Sequence, residues 1–317
     1  MARRAEANNR LDDAARAGWL YYVAGRTQDE IATVMGISRQ SAQRLVSLAM
    51  AERLIKVRLD HPIAACLEAA ERLRDKYELK HVDVVPSDPG SSSTTVGIAE
   101  AGAAEIERWL KLPEPQVLAI GTGRTLKAAI DQLPAMECPQ HRIVSLTGNI
   151  GLDGSAAYYN VIFSMADAVK ARHFPMPLPV LAASPEERAV LHSQSLVQVA
   201  LKLGAEANVA FVGVGELGAD APLCQDGFLS QDEMGQLTRS GAAGEICGWM
   251  FDHDGALLAG SFNDRVASVP LPSRDTTSVI GIAKGRRKHE ALRAALKGRV
   301  INGIITDEAT AAYLLNA

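Results

Sequence analysis

Aromatic side chains are scarce. Trp, Tyr and Phe make up 5% of the 317 residues against an apolar share of 47%. Any core must therefore be built from Ala, Val, Leu and Ile, a mix that suits Ala-rich helices on Val/Ile strands and favours an α/β fold. Long apolar runs are missing too. None approaches the roughly 18 to 20 residues that a bilayer-spanning helix needs, and the N-terminus, MARRAEANNRLDD, has no signal-peptide apolar stretch. A soluble, cytoplasmic protein with no membrane partner is expected. Cysteine is limited to Cys66, Cys138, Cys224 and Cys247, with no C-x-x-C and no His at ligand spacing. This spacing indicates neither a disulfide framework nor a zinc site and leaves buried, inert thiols. The seven histidines form no cluster; His253, in FDHDG, falls in a turn between apolar runs, where a metal role is the weaker reading. Neither a metal nor a cofactor is expected.

Charge is informative once divided. Residues 1–60 carry ten Lys and Arg against seven Asp and Glu, a net of +3, while the remainder carries 23 against 30, a net of −7. A mildly basic head on an acidic body suits a small nucleic-acid-binding module joined to a larger domain. Within that head, Leu11, Ala14, Ala15, Trp19, Tyr22 and Val23 share one helical face, and Gly25 ends the helix. In TQDEIATVMGISRQSAQRLVSLA, Thr27 and Glu30 have the spacing of a capping box, which opens a second helix. Gly36 supplies a tight turn, and Ser38 caps a third helix carrying Ala42, Leu45, Val46 and Ala49. Helix, glycine turn, helix is the helix-turn-helix arrangement. Its outward residues are Ser38, Arg39, Gln40, Gln43 and Arg44, groups that read base edges and grip phosphates, and Thr27 is counted with them. An ordinary αα-hairpin with a solvated face is the bland alternative; turn, cap, packing positions and polar set together favour DNA. In AERLIKVRLDH, Leu54, Ile55, Val57 and Leu59 suit a strand pair, with Arg53, Lys56 and Arg58 outward as the wing's DNA contacts.

A linker helix over 61–80 carries Ile63, Cys66, Leu67, Ala70, Leu73 and Tyr77 on one stripe, which fits packing either on its own domain or on a second subunit. From residue 81 strand-like and helix-like stretches alternate to the end, predicting a mostly parallel sheet with helices on both faces. The domain division is thus 1–60 for DNA binding and 61–317 for effector binding and oligomerisation.

Ligands of such sheets bind beyond the carboxyl ends of the strands. Three turns fall there: Gly121 to Thr125, Thr147 to Gly151, and Lys284 to Lys288. In the first, VLAIGTGRTLKAAI, Gly121 and Gly123 let main-chain amides approach an anion, Thr122 and Thr125 offer hydroxyls, and Arg124 adds charge. Leu126 stands where a dinucleotide fingerprint needs its third glycine, which disfavours a dinucleotide. The second turn supplies Gly148 and Asn149, the third Lys288, one turn into its helix. Glycines at a strand end often serve only the turn, and a single helix lysine is usually solvated. The segment YYNVIFSMADAVKARHFPMPLP, starting from a helix over SAAYYNVIFSMADAVKARH, lines or covers the pocket, with most of its aromatics in the core.

The stretches TQDEIATVMGISRQSAQRLV, GTGRT, FVGVG, GAAGEI, MFDHDG, VIGIAKGRRKHEALRAAL and ITDEATAAYLL run in order over nearly the full length. Through them the chain resembles the SorC/DeoR type of bacterial sugar-responsive transcriptional regulators. The resemblance implies a winged helix-turn-helix joined to a Rossmann-like, doubly wound effector domain related to the ribose-phosphate and glucosamine-phosphate isomerases. It implies double-stranded operator DNA as partner, a phosphorylated sugar or sugar alcohol as effector, a homodimer or homotetramer, and control of a carbohydrate or polyol catabolic operon. Carried over by residue, Gly121 to Thr125 match the phosphate-gripping turn, Gly148 and Asn149 a second ligand loop, and Lys288 a phosphate-meeting lysine. Glu245, in GAAGEI, matches an acidic position suited to sugar hydroxyls, and Arg124 replaces a residue that is often smaller. The competing class is an isomerase-like enzyme with an accessory DNA-binding module. A proton-shuttling isomerase needs a positioned carboxylate or histidine, and no tight acidic cluster marks one strand end; Asp220 and Asp226 flank GADAPLCQDG, which reads as a loop over the site. No catalytic residue is assigned, and sensing is the expectation.

Overall fold

Short runs of Val, Ile and Ala alternate their side chains between two faces, and that period of two sorts the larger part of the chain into two cores. The computed structural model describes residues 2–317 except 53, 56–62, 92, 151–153, 156–158, 219, 226–227 and 261. Two compact units form, Met1–His61 and Pro62–Ala317.

The first unit holds α1 (Ala2–Tyr22), α2 (Gln28–Met35) and α3 (Arg39–Ala51). Thr27 Oγ1 accepts the Glu30 N–H at 3.3 Å, and the Thr27 N–H donates to Glu30 Oε2 at 2.8 Å, closing the capping box on α2. Gly36, at φ +66°, takes the left-handed conformation that ends α2, and Ser38 Oγ accepts the Ser41 N–H at 3.1 Å to start α3. Ala17, Ile31, Ala42 and Val46 form the core. Only part of the expected α1 stripe is buried. Trp19 is 54% and Val23 64% exposed, and Tyr22 also faces out, whereas Ala14 and Ala17 are fully buried. The reason is the closeness of α1 to α3: a Cβ on Gly18 would lie 2.8 Å from Ala49 Cβ, so only small residues fit the crossing. Leu54 and Ile55 are not in a strand, and the expected wing residues Arg53, Lys56 and Arg58 lie outside the described residues.

The second unit begins with α4 (Ala64–Tyr77). It continues through β1 (His81–Val85), α5 (Ile98–Leu110), β2 (Val117–Ile120), α6 (Arg124–Asp131), β3 (Arg142–Ile150), α7 (Val161–Val169) and β4 (Arg172–Pro179). Next come α8 (Pro185–His192), α9 (Ser195–Ala205), β5 (Val209–Val212), α10 (Pro222–Gln225), α11 (Gln231–Arg239) and the antiparallel pair β6 (Ala242–Ile246) and β7 (Trp249–Asp252). The chain closes with β8 (Ser278–Ile282), α12 (His289–Lys297), β9 (Gly303–Asp307) and α13 (Glu308–Asn316). Seven strands pair, all parallel, in the order β1-β9-β8-β5-β2-β3-β4. Leu118, Ile120, Val209, Phe211, Ile280 and Ile282 point into a core shared with α5, α6 and α7. Ala119, Ala210, Val212 and Val279 point the other way, onto α4, α9, α12, α13 and the β6–β7 hairpin. The sheet is therefore wound on both faces. The α4 stripe packs on its own sheet through Cys66, Ala70 and Leu73, while Leu67 and Ile63 stay exposed.

Two expectations change. Thr147 to Ile150 form the end of β3 and not a turn. The helix expected over 155–173 is confined to Val161–Val169, and RHFPMPLP is the edge strand β4. An edge strand tolerates Pro175, Pro177 and Pro179 because one side of its backbone needs no ladder donor.

Candidate functional site

The chain runs from β2 outward to β3 and β4, then returns to β5 and runs the other way through β8 to β9, so the sheet's direction reverses between β2 and β5. Loops leaving adjacent strands diverge at such a point and leave a crevice beyond their carboxyl ends. A cavity of about 530 Å³ occupies it.

Thr122, Gly123, Arg124, Thr125 and Leu126 line one wall. Gly121 does not; its N–H donates to Phe211 O at 2.9 Å and so extends the sheet behind the loop. Gly123, at φ +118° and ψ 168°, turns the chain into α6 with no side-chain cap. The N–H groups of Arg124, Thr125 and Leu126 open that helix without intrahelical acceptors, at the end where the helix dipole favours an anion. The Thr122 hydroxyl donates to Tyr159 O at 3.2 Å, which ties the loop to the chain entering α7. Arg124 is exposed at the rim.

Cations come from the turn after β8. Lys288 ends a single 3-10 turn, Arg286–Lys288, ahead of α12, one step earlier than a position inside the helix. Its ammonium lies 2.8 Å from Glu216 Oε2, at an angle that makes an ion pair and not a directed hydrogen bond, and it donates to Val214 O. Arg287 Nε lies 3.7 Å from Glu216 Oε1. Burial opposes ionisation of Glu216, but the Lys288 charge and its contact outweigh that and hold the carboxyl below the usual range. Lys284 is buried, donates to Val96 O at 2.9 Å and approaches Asp307 Oδ2 at 4.0 Å. It thereby fastens the loop after β1 beside the site.

Glu245, on β6, reaches the cavity from the hairpin. Its main chain exchanges hydrogen bonds with Gly215 (N–H to O at 3.1 Å and O to N–H at 2.9 Å), and its Oε2 accepts the Gly248 N–H at 2.8 Å. Any Cβ at Gly215 would sit 2.1 Å from Glu245 Oε1, so the glycine lets the carboxylate lie across the β5 loop. Burial pushes the Glu245 carboxyl up, and the Glu216 charge adds to it.

The structure thus brings Thr122 to Thr125, Gly148, Glu245 and Lys288 around one space and leaves Gly121 and Asn149 outside its lining. Gly148 contributes main chain from within β3. Asp220 is exposed and outside the lining, and Asp226 falls outside the described residues; Leu223 and Phe228 of the same segment do line the cavity. Sequence reasoning missed Glu216, Asp307 and the hydroxyl-bearing loop through Ser87, Ser93 and Thr94, all in the lining, while Lys284 belongs to the third turn it had picked out. The signal was present for Glu216: it closes FVGVGE at the end of a buried strand, where the rule that selected Gly121 also applies. Among the described residues no group of His, Cys, Asp and Glu could hold a metal ion, and no helix is long and apolar enough to cross a membrane.

In the first unit, Ser38, Arg39, Gln40, Gln43 and Arg44 are all exposed on the first turns of α3, as is Thr27 at the head of α2. Arg39 Nε approaches Asp29 Oδ1 at 3.5 Å. Gln40, Gln43 and Arg44 share an open groove with Arg10 of α1, a residue the sequence reading did not single out.

The profile of a sugar-binding domain family matches residues 61–316. The erythritol catabolism regulatory protein EryD of Brucella abortus is 32% identical over 302 residues, covering 95% of this chain and 96% of that protein. The transcriptional regulator LsrR of Escherichia coli K12 is 32% identical over 312 residues, 96% of this chain and 95% of LsrR. The crystal structure of the full-length sorbitol operon regulator SorC from Klebsiella pneumoniae superposes with a TM-score of 0.73 at 25% identity, covering 95% of this chain and 97% of that one.

Proposed function

Because the chain belongs to the SorC/DeoR-type family of sugar-binding transcriptional regulators, we propose that it senses a phosphorylated sugar or sugar alcohol in the cavity and adjusts its grip on operator DNA accordingly. It is a regulator and not an enzyme, as the named relatives are. The observation that carries the phosphate is the pairing of two anion-attracting features across one crevice. The open amides of α6 stand on one wall and the Arg286–Lys288 turn on another. Main-chain donors at a helix start together with an ammonium are what a phosphate monoester uses. Glu245 then faces the carbon chain, where its carboxyl group pairs with sugar hydroxyls.

On the DNA side, α3 enters a major groove with Arg39, Gln40, Gln43 and Arg44 toward base edges and phosphates, and Arg53, Lys56 and Arg58, which follow α3 in the sequence, add charge for the flanking phosphates. A homodimer or homotetramer in the cytoplasm presents these helices about 34 Å apart, or a multiple of it, to a near-palindromic operator of a sugar or polyol catabolic operon. The erythritol in the name of one relative, EryD, makes short polyols and their phosphates a natural first panel. Thermal melts with matched sugars and sugar phosphates test the reading. A phosphate ester should raise the melting temperature and change operator affinity at fixed salt without being consumed, while its dephosphorylated partner does neither. Equal responses to both would remove the phosphate from the assignment.

A further inference from the structure

We propose that Glu216 is a built-in competitor for the effector's anion: it holds Lys288 and Arg287 until a phosphate ester takes them over. The proposal rests on the phosphate-ester reading of the cavity and adds a residue that sets the affinity and chemical selectivity of that site.

Glu216 follows the β5 strand at the point where the sheet reverses direction, in the loop Gly213-Val214-Gly215-Glu216 that forms part of the cavity wall. Its side chain is only 9% exposed, yet it carries a full complement of nearby cations. One oxygen stands 2.8 Å from the Lys288 ammonium, the other 3.7 Å from Arg287 Nε, and the Lys288 ammonium also donates to the Val214 carbonyl of the same loop. The single loop after β5 therefore holds two of the cations of the turn after β8, Arg287 and Lys288. Nevertheless Oε2 receives no directed hydrogen bond. A buried carboxylate is normally fully hydrogen-bonded, because an unsatisfied charged oxygen is costly. Here the Lys288 charge and its 2.8 Å contact compensate it in place of a full set of directed hydrogen bonds, a pairing that another anion can displace. The neighbouring carboxyl does not share the work. Glu245 is driven toward its neutral form by burial, whereas Glu216 is kept ionised by Lys288 despite burial.

One of the three Lys288 donors is already on Val214 O and its charge is already compensated by the Glu216 carboxylate, so the ammonium attracts a phosphoryl group less strongly than an unpaired one would. When a phosphate ester is seated on the α6 amides, Lys288 and Arg287 turn to it, and the Gly213–Glu216 loop loses its tie to the β8 turn. That loop is also hydrogen-bonded to β6 through Gly215 and Glu245, so the exchange reaches the hairpin. A neutral polyol offers nothing to replace the carboxylate and leaves the tie intact, which discriminates against unphosphorylated sugars.

The test is a calorimetric titration of the full chain with inorganic phosphate at constant ionic strength. Glu216→Gln keeps size and polarity and removes the competing charge. It should bind phosphate at least about fivefold tighter, the gain that removing one like charge about 4 Å away gives even at the dielectric of bulk water. The gain should shrink markedly when Lys288→Met is already present, leaving only the share that belongs to Arg287. Glu216→Asp, measured alongside so that poor folding of the Gln variant leaves the test standing, should show a smaller gain of the same sign. Unchanged or weaker phosphate binding in a folded variant, with the wild type binding normally, would overturn the proposal and leave the phosphate reading intact. No phosphate binding by the wild type or either variant would sink the phosphate reading and the proposal with it.

Discussion

Two carboxyl groups at one cavity are pushed in opposite directions, and each direction has a consequence for stability. Glu245 sits above its ordinary value of 4.5 because burial penalises the charged form. The native state therefore binds that proton more tightly than the unfolded chain does. Its contribution is complete below 4.5 and is lost as pH rises through the native value. Glu216 sits below its ordinary value: burial works against ionisation, but Lys288 wins. Its contribution is present above the ordinary carboxylate range and is lost as pH falls through the depressed native value. Replacing Glu245 by Gln removes the first effect while preserving an acceptor for the Gly248 N–H. The variant should gain stability relative to the wild type on going from acid to neutral pH, read as the difference in melting temperature between the two proteins across a pH series. A difference that stays constant with pH would mean that Glu245 is ionised at no cost, in conflict with its buried setting.

At the scale of elements, glycine explains both what was legible in the sequence and what was not. Gly121 to Thr125 and the turn ending at Lys288 were found because each follows a Val/Ile-rich run, and a strand end is where such a sheet places its ligands. Thr147-Gly148-Asn149 has the same composition but a different cause. A Cβ on Gly148 would lie 2.4 Å from Leu178 O and 2.6 Å from Pro179 O, so this glycine exists for close approach of β3 to β4 and the strand continues through it. Composition does not separate a glycine that turns from a glycine that packs. Proline disguised β4 similarly, and bulk misled the reading of α1, where a helical stripe through Trp19 and Tyr22 ignored that the crossing admits only Ala and Gly. Contacts set by strand order were out of reach altogether: Ser87 Oγ donates to Asp307 Oδ2 at 3.0 Å across 220 positions of sequence, because β9 lies between β1 and β8. Gly148→Ala is the corresponding prediction. The neighbours it meets are main-chain atoms with little room to give, so the substitution should destabilise the fold by roughly 1 to 3 kcal/mol or more. Chemical denaturation measures this, and a neutral result would show that β3 and β4 stand farther apart than the structure places them.

For the whole molecule, sensing requires that effector and operator each prefer one state of the same assembly, and linkage then fixes a relation that needs no knowledge of the state's shape. If a sugar phosphate changes operator affinity by some factor, operator DNA must change affinity for that sugar phosphate by the same factor, whether the effector releases DNA or strengthens its hold. Both factors are measurable on the full chain at one salt concentration, which has to be fixed because phosphate contacts make operator binding steeply salt-dependent. Arg39→Ala combined with Arg44→Ala should abolish operator binding while leaving sugar-phosphate affinity in the absence of DNA unchanged, since these exposed side chains belong to the first unit and the cavity lies wholly in the second. Lys288→Met should do the reverse: operator binding survives, and the response to sugar phosphate is lost. Unequal factors in the wild type would show that ligand also acts outside the coupled equilibrium, for example by competing directly for the basic surface of the first unit. In that event the Lys288 variant would still respond, and the double arginine variant would lose sugar-phosphate binding as well.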